Sequence, residues 1–271
     1  MHDSHDTGSD NTATGGGVRI VYRVDGPRDA PAIIFSNSLG TDLGMWEPQV
    51  QAFAGRFRVI RYDSRGHGRS DVPPGPYAIE QHANDLLSVL DALEIGRAHV
   101  CGLSLGGMVA LWLSIHRPDR VQRAIFADTA ARIGTEEMWN ERIEKVRAEG
   151  MRAVREPGLA RFFSEPFRQR HRDVVRQFGT MLETTPAEGY IAACAGLRDA
   201  DLRHAVSRIR IPALVIGGEL DVATPPSQAR ELHAAIPGSE LVTLKQAAHL
   251  SNVERPDAFN AHALAFLGRA D

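Results

Sequence analysis

The stretch Ala98-His-Val-Cys-Gly-Leu-Ser-Leu-Gly-Gly107 constrains this chain more than any other. A short apolar run ends in Gly102-Leu-Ser104-Leu-Gly106, and an apolar, helix-like run follows from Met108 to Ile115. Gly-x-Ser-x-Gly in the order strand, turn, helix places a serine on a sharp turn at the top of a sheet. Such a turn needs a strained backbone, tolerated where the residues two positions away lack side chains. Gly102 and Gly106 meet that need. The Ser104 hydroxyl is therefore expected above the sheet, at the N-terminus of the next helix, as a nucleophile.

The rest of the chain supplies a sheet for such a turn. Val18–Val24, Pro31–Phe35, Phe57–Tyr62, Ala98–Cys101 and Val121–Phe126 read as strands, and Ile79–Leu93 has apolar residues at helical spacing, closed by Gly96. The rhythm returns as strand, helix, strand, helix at Ile211–Ile216, Ser227–Ile236, Glu240–Leu244 and Pro256–Leu267. Strands separated by helices at this spacing predict an α/β fold, a mostly parallel sheet with crossover helices. Between 132 and 205 no strand is convincing, and helical pieces turn at Gly150, Pro157-Gly158 and Pro186. The predicted organisation is a polar, flexible tail over 1–17, a core over 18–131 and 206–268, and a helical lid inserted over 132–205.

Composition narrows the function. A net charge of −3 and mixed signs along 271 residues leave no nucleic-acid footprint and no membrane-surface patch. The longest apolar run is too short to span a bilayer, and the first residues lack the basic start and apolar stretch of a signal peptide. A cytoplasmic protein is expected. The two cysteines, Cys101 and Cys194, form no disulfide framework and are expected to stay reduced. No cluster has metal-ligand spacing and no phosphate-binding glycine loop occurs, so no cofactor is expected.

A serine nucleophile needs a base, and the base an orienting acid. Of 11 histidines, His249 is the one after Ser104 that sits just beyond a strand, in Gln246-Ala-Ala-His-Leu-Ser251. Two acids follow strand ends: Asp221, after Gly217-Gly-Glu-Leu, and Asp128, directly after Val121–Phe126. Both fit the order Ser, Asp, His and both lie at the C-terminal ends of strands; Asp221 is the favoured acid, and Glu219 is the weaker alternative. The oxyanion hole should be two backbone N–H groups, one from Leu105 and one from the loop Ser36-Asn-Ser38, with Ser38 expected and Leu39 one step away. Asp63-Ser-Arg-Gly-His-Gly-Arg-Ser70 precedes Ser104 and adds no missing catalytic part; it is read as structural, His67 included.

With these residues laid out, the chain resembles the α/β-hydrolase superfamily over Val18–Leu267, and within it the 3-oxoadipate enol-lactonases of bacterial aromatic catabolism. The matching pieces are Ser36-Asn-Ser-Leu-Gly40, Tyr62-Asp-Ser-Arg-Gly-His-Gly-Arg-Ser70, Gly75-Pro-Tyr77, Cys101-Gly-Leu-Ser-Leu-Gly-Gly107, Thr129-Ala-Ala-Arg-Ile-Gly134 and His249-Leu-Ser-Asn-Val-Glu-Arg-Pro256. Asp128 departs from the family pattern, which often has a neutral residue there. The resemblance implies a Ser-His-Asp hydrolase of the β-ketoadipate pathway, opening a small enol-lactone with a carboxymethyl arm. Arg132, at the entry to the lid, is then the expected partner of that carboxylate, and Trp139 a residue of the same pocket. A carboxylesterase or C–C bond hydrolase would share the same triad, and a slow-turnover ligand receptor could be built on the same fold. Monomer and homodimer remain open at this point.

Overall fold

The computed structural model describes residues 9–269; residues 1–8 of the expected tail lie outside that range. Its strands are β1 (Asn11–Gly15), β2 (Val18–Asp25), β3 (Ala32–Ser36), β4 (Arg58–Tyr62), β5 (Ala98–Leu103), β6 (Val121–Ala127), β7 (Ala213–Gly218) and β8 (Glu240–Leu244). They form one sheet in the order β1-β2-β4-β3-β5-β6-β7-β8. β1 with β2 and β2 with β4 are antiparallel; every other pair is parallel. This is the α/β-hydrolase fold.

β5 lies in the middle of the sheet and is buried along its whole length. Helices on both faces of a parallel sheet make such a strand a continuous apolar run. The helix after it, α3 (Leu105–His116), is nearly as enclosed, with Ala110, Leu111 and Leu113 fully buried. The remaining cover includes α1 (Glu47–Phe53), α2 (Ile79–Ala92), α9 (Pro226–Ala235) and α11 (Pro256–Leu267), with a short α10 (Ser251–Glu254) after the last strand. Between β6 and β7 run five helices: α4 (Glu136–Glu149), α5 (Arg152–Phe162), α6 (Glu165–Arg170), α7 (Arg172–Thr184) and α8 (Ala187–Asp199).

Three features differ from the sequence reading. Residues 11–15 are not part of a flexible tail: they pair one for one with Val18–Tyr22. Of these five, Ala13 alone is buried, so an edge strand here carries almost no apolar signal. Asp10, bonded to Arg23 and Arg69, ties its entry to the sheet. α1 has no counterpart in the sequence reading; Val50 and Phe53 anchor it. The left-handed residue that ends α2 is Glu94 (φ 58°) rather than Gly96.

The strand order places the site. From β3 the chain moves to β4 on one side, then returns across β3 to β5 on the other. A crevice opens where the direction of winding reverses, outside the carboxyl ends of β3 and β5. The loop after β3 and the turn after β5 meet there. A Cβ on Gly106 would stand 2.1 Å from the Ser36 carbonyl oxygen, whereas one on Gly96 would meet nothing within 4 Å. Gly106→Ala should therefore destabilise the fold by about 3 kcal/mol, and Gly96→Ala by no more than about 0.5 kcal/mol, read from urea denaturation midpoints. Equal midpoints would contradict this account of the turn.

Candidate active site

Ser104 stands between β5 and α3 with φ 58° and ψ −113°. A left-handed serine costs on the order of 1–3 kcal/mol unless its surroundings over-determine it. Here they do. The Ser104 N–H donates to the Ala127 carbonyl (3.0 Å), and the Thr129 hydroxyl donates to the Ser104 carbonyl (2.8 Å). Two positions on, Gly106 N–H donates to the Asn37 carbonyl (2.9 Å). Gly102 must lack a side chain as well, since a Cβ there would lie 1.9 Å from the Gly106 carbonyl oxygen.

His249 and Asp221 are brought together from the loops after β8 and β7. His249 Nδ1 lies 2.8 Å from Asp221 Oδ2, and both side chains are buried. Asp221 also accepts hydrogen bonds from the Thr224 hydroxyl (2.7 Å) and from the N–H groups of Ala223 and Thr224. Burial alone would raise the Asp221 carboxyl, but the charge and hydrogen bond of His249 and those Thr224 contacts hold it below the ordinary value. Burial would likewise depress His249, yet the Asp221 carboxylate and its hydrogen bond outweigh it and raise the imidazole. The loop that carries His249 is fastened to the helices inserted before β7. Leu250 N–H donates to the Phe162 carbonyl (3.0 Å), and the Phe162 ring lies parallel to His249 within 14°. Glu254 accepts from Ala248 N–H (3.0 Å) and from both the N–H and the hydroxyl of Ser164.

The loop after β3 corrects one expectation. The N–H of Ser38 is already engaged, donating to Met45 Sδ at 3.3 Å, and the Thr41 hydroxyl donates to the same sulfur. The N–H of Gly40 donates to His67 Nε2 (3.0 Å). Leu39, between them, has an N–H with no acceptor among the described residues, as does Leu105. Leu39 rather than Ser38 therefore leaves its donor open beside Ser104. No sequence signal pointed to Met45, because a thioether acceptor has no motif. His67 and its neighbours hold this loop: Asp63 accepts from Leu43 N–H (2.8 Å), and burial keeps His67 neutral by lowering its pKa.

A cavity of about 210 Å³ lies over Ser104 and His249. Ser38, Leu39 and Trp139 line it, and so do two arginines, Arg142 and Arg161. The Arg142 guanidinium rests over the Trp139 ring at 4.6 Å, and Trp139 Nε1–H donates to the Ile133 carbonyl. Neither arginine is paired with a carboxylate among the described residues. Burial, then the charge of Arg142, pushes Arg161 down to about 10, so it stays charged near neutrality. Arg132 is elsewhere. It lines a separate surface cavity, and its guanidinium lies 3.6 Å from Asp201, which Arg203 also binds. Its neighbour Ile133 takes the inward position, so the carboxylate role expected of Arg132 has no geometric support. Glu219 is exposed and accepts from Gln246 N–H; Asp128 is buried beside the pair without lining the cavity. Among the described residues no cluster of three or more His, Cys, Asp and Glu is placed to hold a metal ion. No helix there is long and apolar enough to cross a membrane.

A family model described as the alpha/beta hydrolase fold matches residues 31–256. The chain belongs to the α/β-hydrolase family. It is 42% identical, over 94% of each chain, to 3-oxoadipate enol-lactonase 2 of Acinetobacter baylyi. The crystal structure of the enol-lactonase from Burkholderia xenovorans superposes with a TM-score of 0.94 at 45% identity, covering 96% of this chain and 100% of that one. An esterase from Thermogutta terrifontis, solved with malate bound, has a TM-score of 0.90 at 28% identity, covering 96% and 98%. This α/β-hydrolase is thus similar over nearly its whole length to enzymes that cleave ester bonds.

The shifts of the buried pair set a pH signature. His249, raised, stabilises the fold fully below about pH 6.5, its unfolded value, and loses this as pH climbs through the raised one. Asp221, lowered, contributes above its unfolded value of 3.8 and loses this as pH falls. Both contributions coexist between about pH 4 and 6.5. The Tm deficit of Asp221→Asn should be largest there and narrower at about pH 9; a deficit that grows towards alkaline pH would refute the assignment.

Proposed function

We propose that the protein opens 3-oxoadipate enol-lactone to 3-oxoadipate, with Ser104, His249 and Asp221 as its catalytic triad. The observation that carries this reading is the cavity: one small space holds Ser104, His249 and two arginines without carboxylate partners. Its 210 Å³ falls below the roughly 300–1,000 Å³ of drug-sized pockets, which suits a small substrate. Two guanidinium groups beside a nucleophile call for an anionic substrate, and a planar fork matches a carboxylate with two hydrogen bonds. The related enol-lactonases act on a substrate of this chemistry. The malate of the esterase structure is likewise a small carboxylate.

The steps follow from the groups in place. His249 accepts the Ser104 proton through the ring nitrogen not held by Asp221, and Ser104 attacks the lactone carbonyl. Charge develops on the carbonyl oxygen, where the free N–H groups of Leu39 and Leu105 meet it. Collapse of this intermediate breaks the ring C–O bond and expels an enolate, which takes up the proton carried by His249 and becomes a ketone, leaving His249 a free base again. His249 then takes a proton from water, whose oxygen attacks the acyl-Ser104; the acyl–Oγ bond breaks, His249 returns the proton to Ser104, and the new carboxylic acid leaves and ionises. Asp221 keeps the imidazole in the required tautomer throughout. Arg142, steadied on Trp139, and Arg161 hold the carboxymethyl arm, and the insertion over 132–205 serves as the lid that encloses it.

Ser104→Ala should lower kcat by on the order of 10⁵–10⁶ on the lactone, followed by ultraviolet absorbance. Near-normal turnover would sink the triad. Arg142→Ala and Arg161→Ala should each raise KM for the lactone by roughly tenfold or more and leave a neutral p-nitrophenyl ester much less affected. Equal losses on both substrates would favour a general carboxylesterase. Because His249 is raised, the acid limb of kcat/KM should lie above the ordinary imidazole value of 6.5.

A further inference from the structure

Asp128 is a buried carboxyl that the proposed mechanism does not use. It follows β6 directly and is held at φ 41°, a left-handed conformation that favours glycine. Its N–H donates to the Ile216 carbonyl (2.8 Å). Oδ1 accepts the Gly218 N–H at 2.7 Å, three residues before Asp221. Oδ2 lies 2.5 Å from the Ser251 hydroxyl, two residues after His249. One carboxyl thus bridges the turn that bears the acid and the loop that bears the base. No cation is paired with it among the described residues. The ionisable groups that face it are the Asp221 carboxyl, the His249 ring and, on β5, the Cys101 thiol.

We propose that Asp128 is a positioning residue acting as a neutral carboxylic acid that clasps the Asp221 turn to the His249 loop. The inference rests on the reading of His249 as the base. The neutral form keeps both contacts: one oxygen still accepts from Gly218, and the O–H on the other donates to the Ser251 hydroxyl. It also keeps a second negative charge out of the site. An ionised Asp128 would raise the basicity of His249 further, favouring an imidazolium before attack and removing the free base. Burial, then the charge of Asp221, pushes Asp128 up to about 8, so the neutral form prevails at neutral pH. Protons leave such a cluster in steps that belong to the group as a whole.

Three variants test this: Asp128→Ala, Asp128→Asn and Ser251→Ala, assayed with p-nitrophenyl acetate so that the lactone assignment is not at stake. Asp128→Ala should lower kcat by roughly tenfold or more with KM little changed, as expected when a base is misplaced. Asp128→Asn mimics the neutral acid, with an acceptor for Gly218 and a donor for Ser251. It should recover most of that loss and lack the alkaline inflection expected of the wild type near pH 8. Ser251→Ala removes the hydroxyl that favours the ionised form, so its inflection should move to higher pH. Stability gives a reading independent of turnover. A carboxyl raised in the folded state loses stability as pH rises from its unfolded to its folded value. The Tm of Asp128→Asn should therefore exceed the wild type at about pH 9 and converge with it near about pH 4. A folded Asp128→Asn as impaired as Asp128→Ala, or a Tm difference that does not change with pH, would overturn the proposal. Absence of ester turnover in the wild type would strike at the triad instead, and the Tm comparison would still decide the state of Asp128.

Discussion

The structure depends on how closely two backbones approach. Gly106 donates to the Asn37 carbonyl, and no side-chain atom fits between that turn and the strand end beside it. This contact fastens the turn after β5 to the loop after β3. The same approach that forces Ser104 into a strained conformation thus brings the two open N–H groups, on Leu39 and Leu105, to one place. Asn37 extends the fastening: its side chain donates to the Tyr62 carbonyl and accepts from Trp46 Nε1–H. Strain at Ser104 and order in the loop after β3 have one physical cause.

Much of this was legible in the amino-acid order. Fully buried parallel strands such as β5 and β7 are unbroken apolar runs, and the glycines flanking Ser104 admit few other backbones. The pairing of His249 with Asp221 was legible because each lies in a loop that follows a strand end. The misses have physical explanations. β1 is an edge strand with one buried side chain, so its polar residues read as coil. Arg132 was chosen by proximity along the chain, but a residue beside a site can face either way; Ile133 faces in and Arg132 out. Arg142 and Arg161 lie on α4 and α5, and their convergence on Ser104 depends on how those helices pack. Helix packing leaves no periodic trace that distinguishes one surface arginine from another. The displacement of Ser38 by Leu39 turned on a single thioether contact.

Charge is distributed unevenly around the nucleophile. Acidic groups, Asp221 and Asp128, face His249, while the cations Arg142 and Arg161 line the cavity. An anion entering this space meets attraction from the two guanidinium groups.

The attachment of the His249 loop to α5 bears on how such proteins diversify. The Leu250 N–H held by the Phe162 carbonyl, and Glu254 bound to Ser164, mean that the inserted helices are not an independent cover. A transplanted insertion that changed the segment from Phe162 to Ser164 would alter the support of His249 as well as the shape of the pocket. Exchange of specificity by recombination is therefore easiest outside that segment, in α4 and the first turns of α5, where the cavity wall can be rewritten while His249 stays anchored.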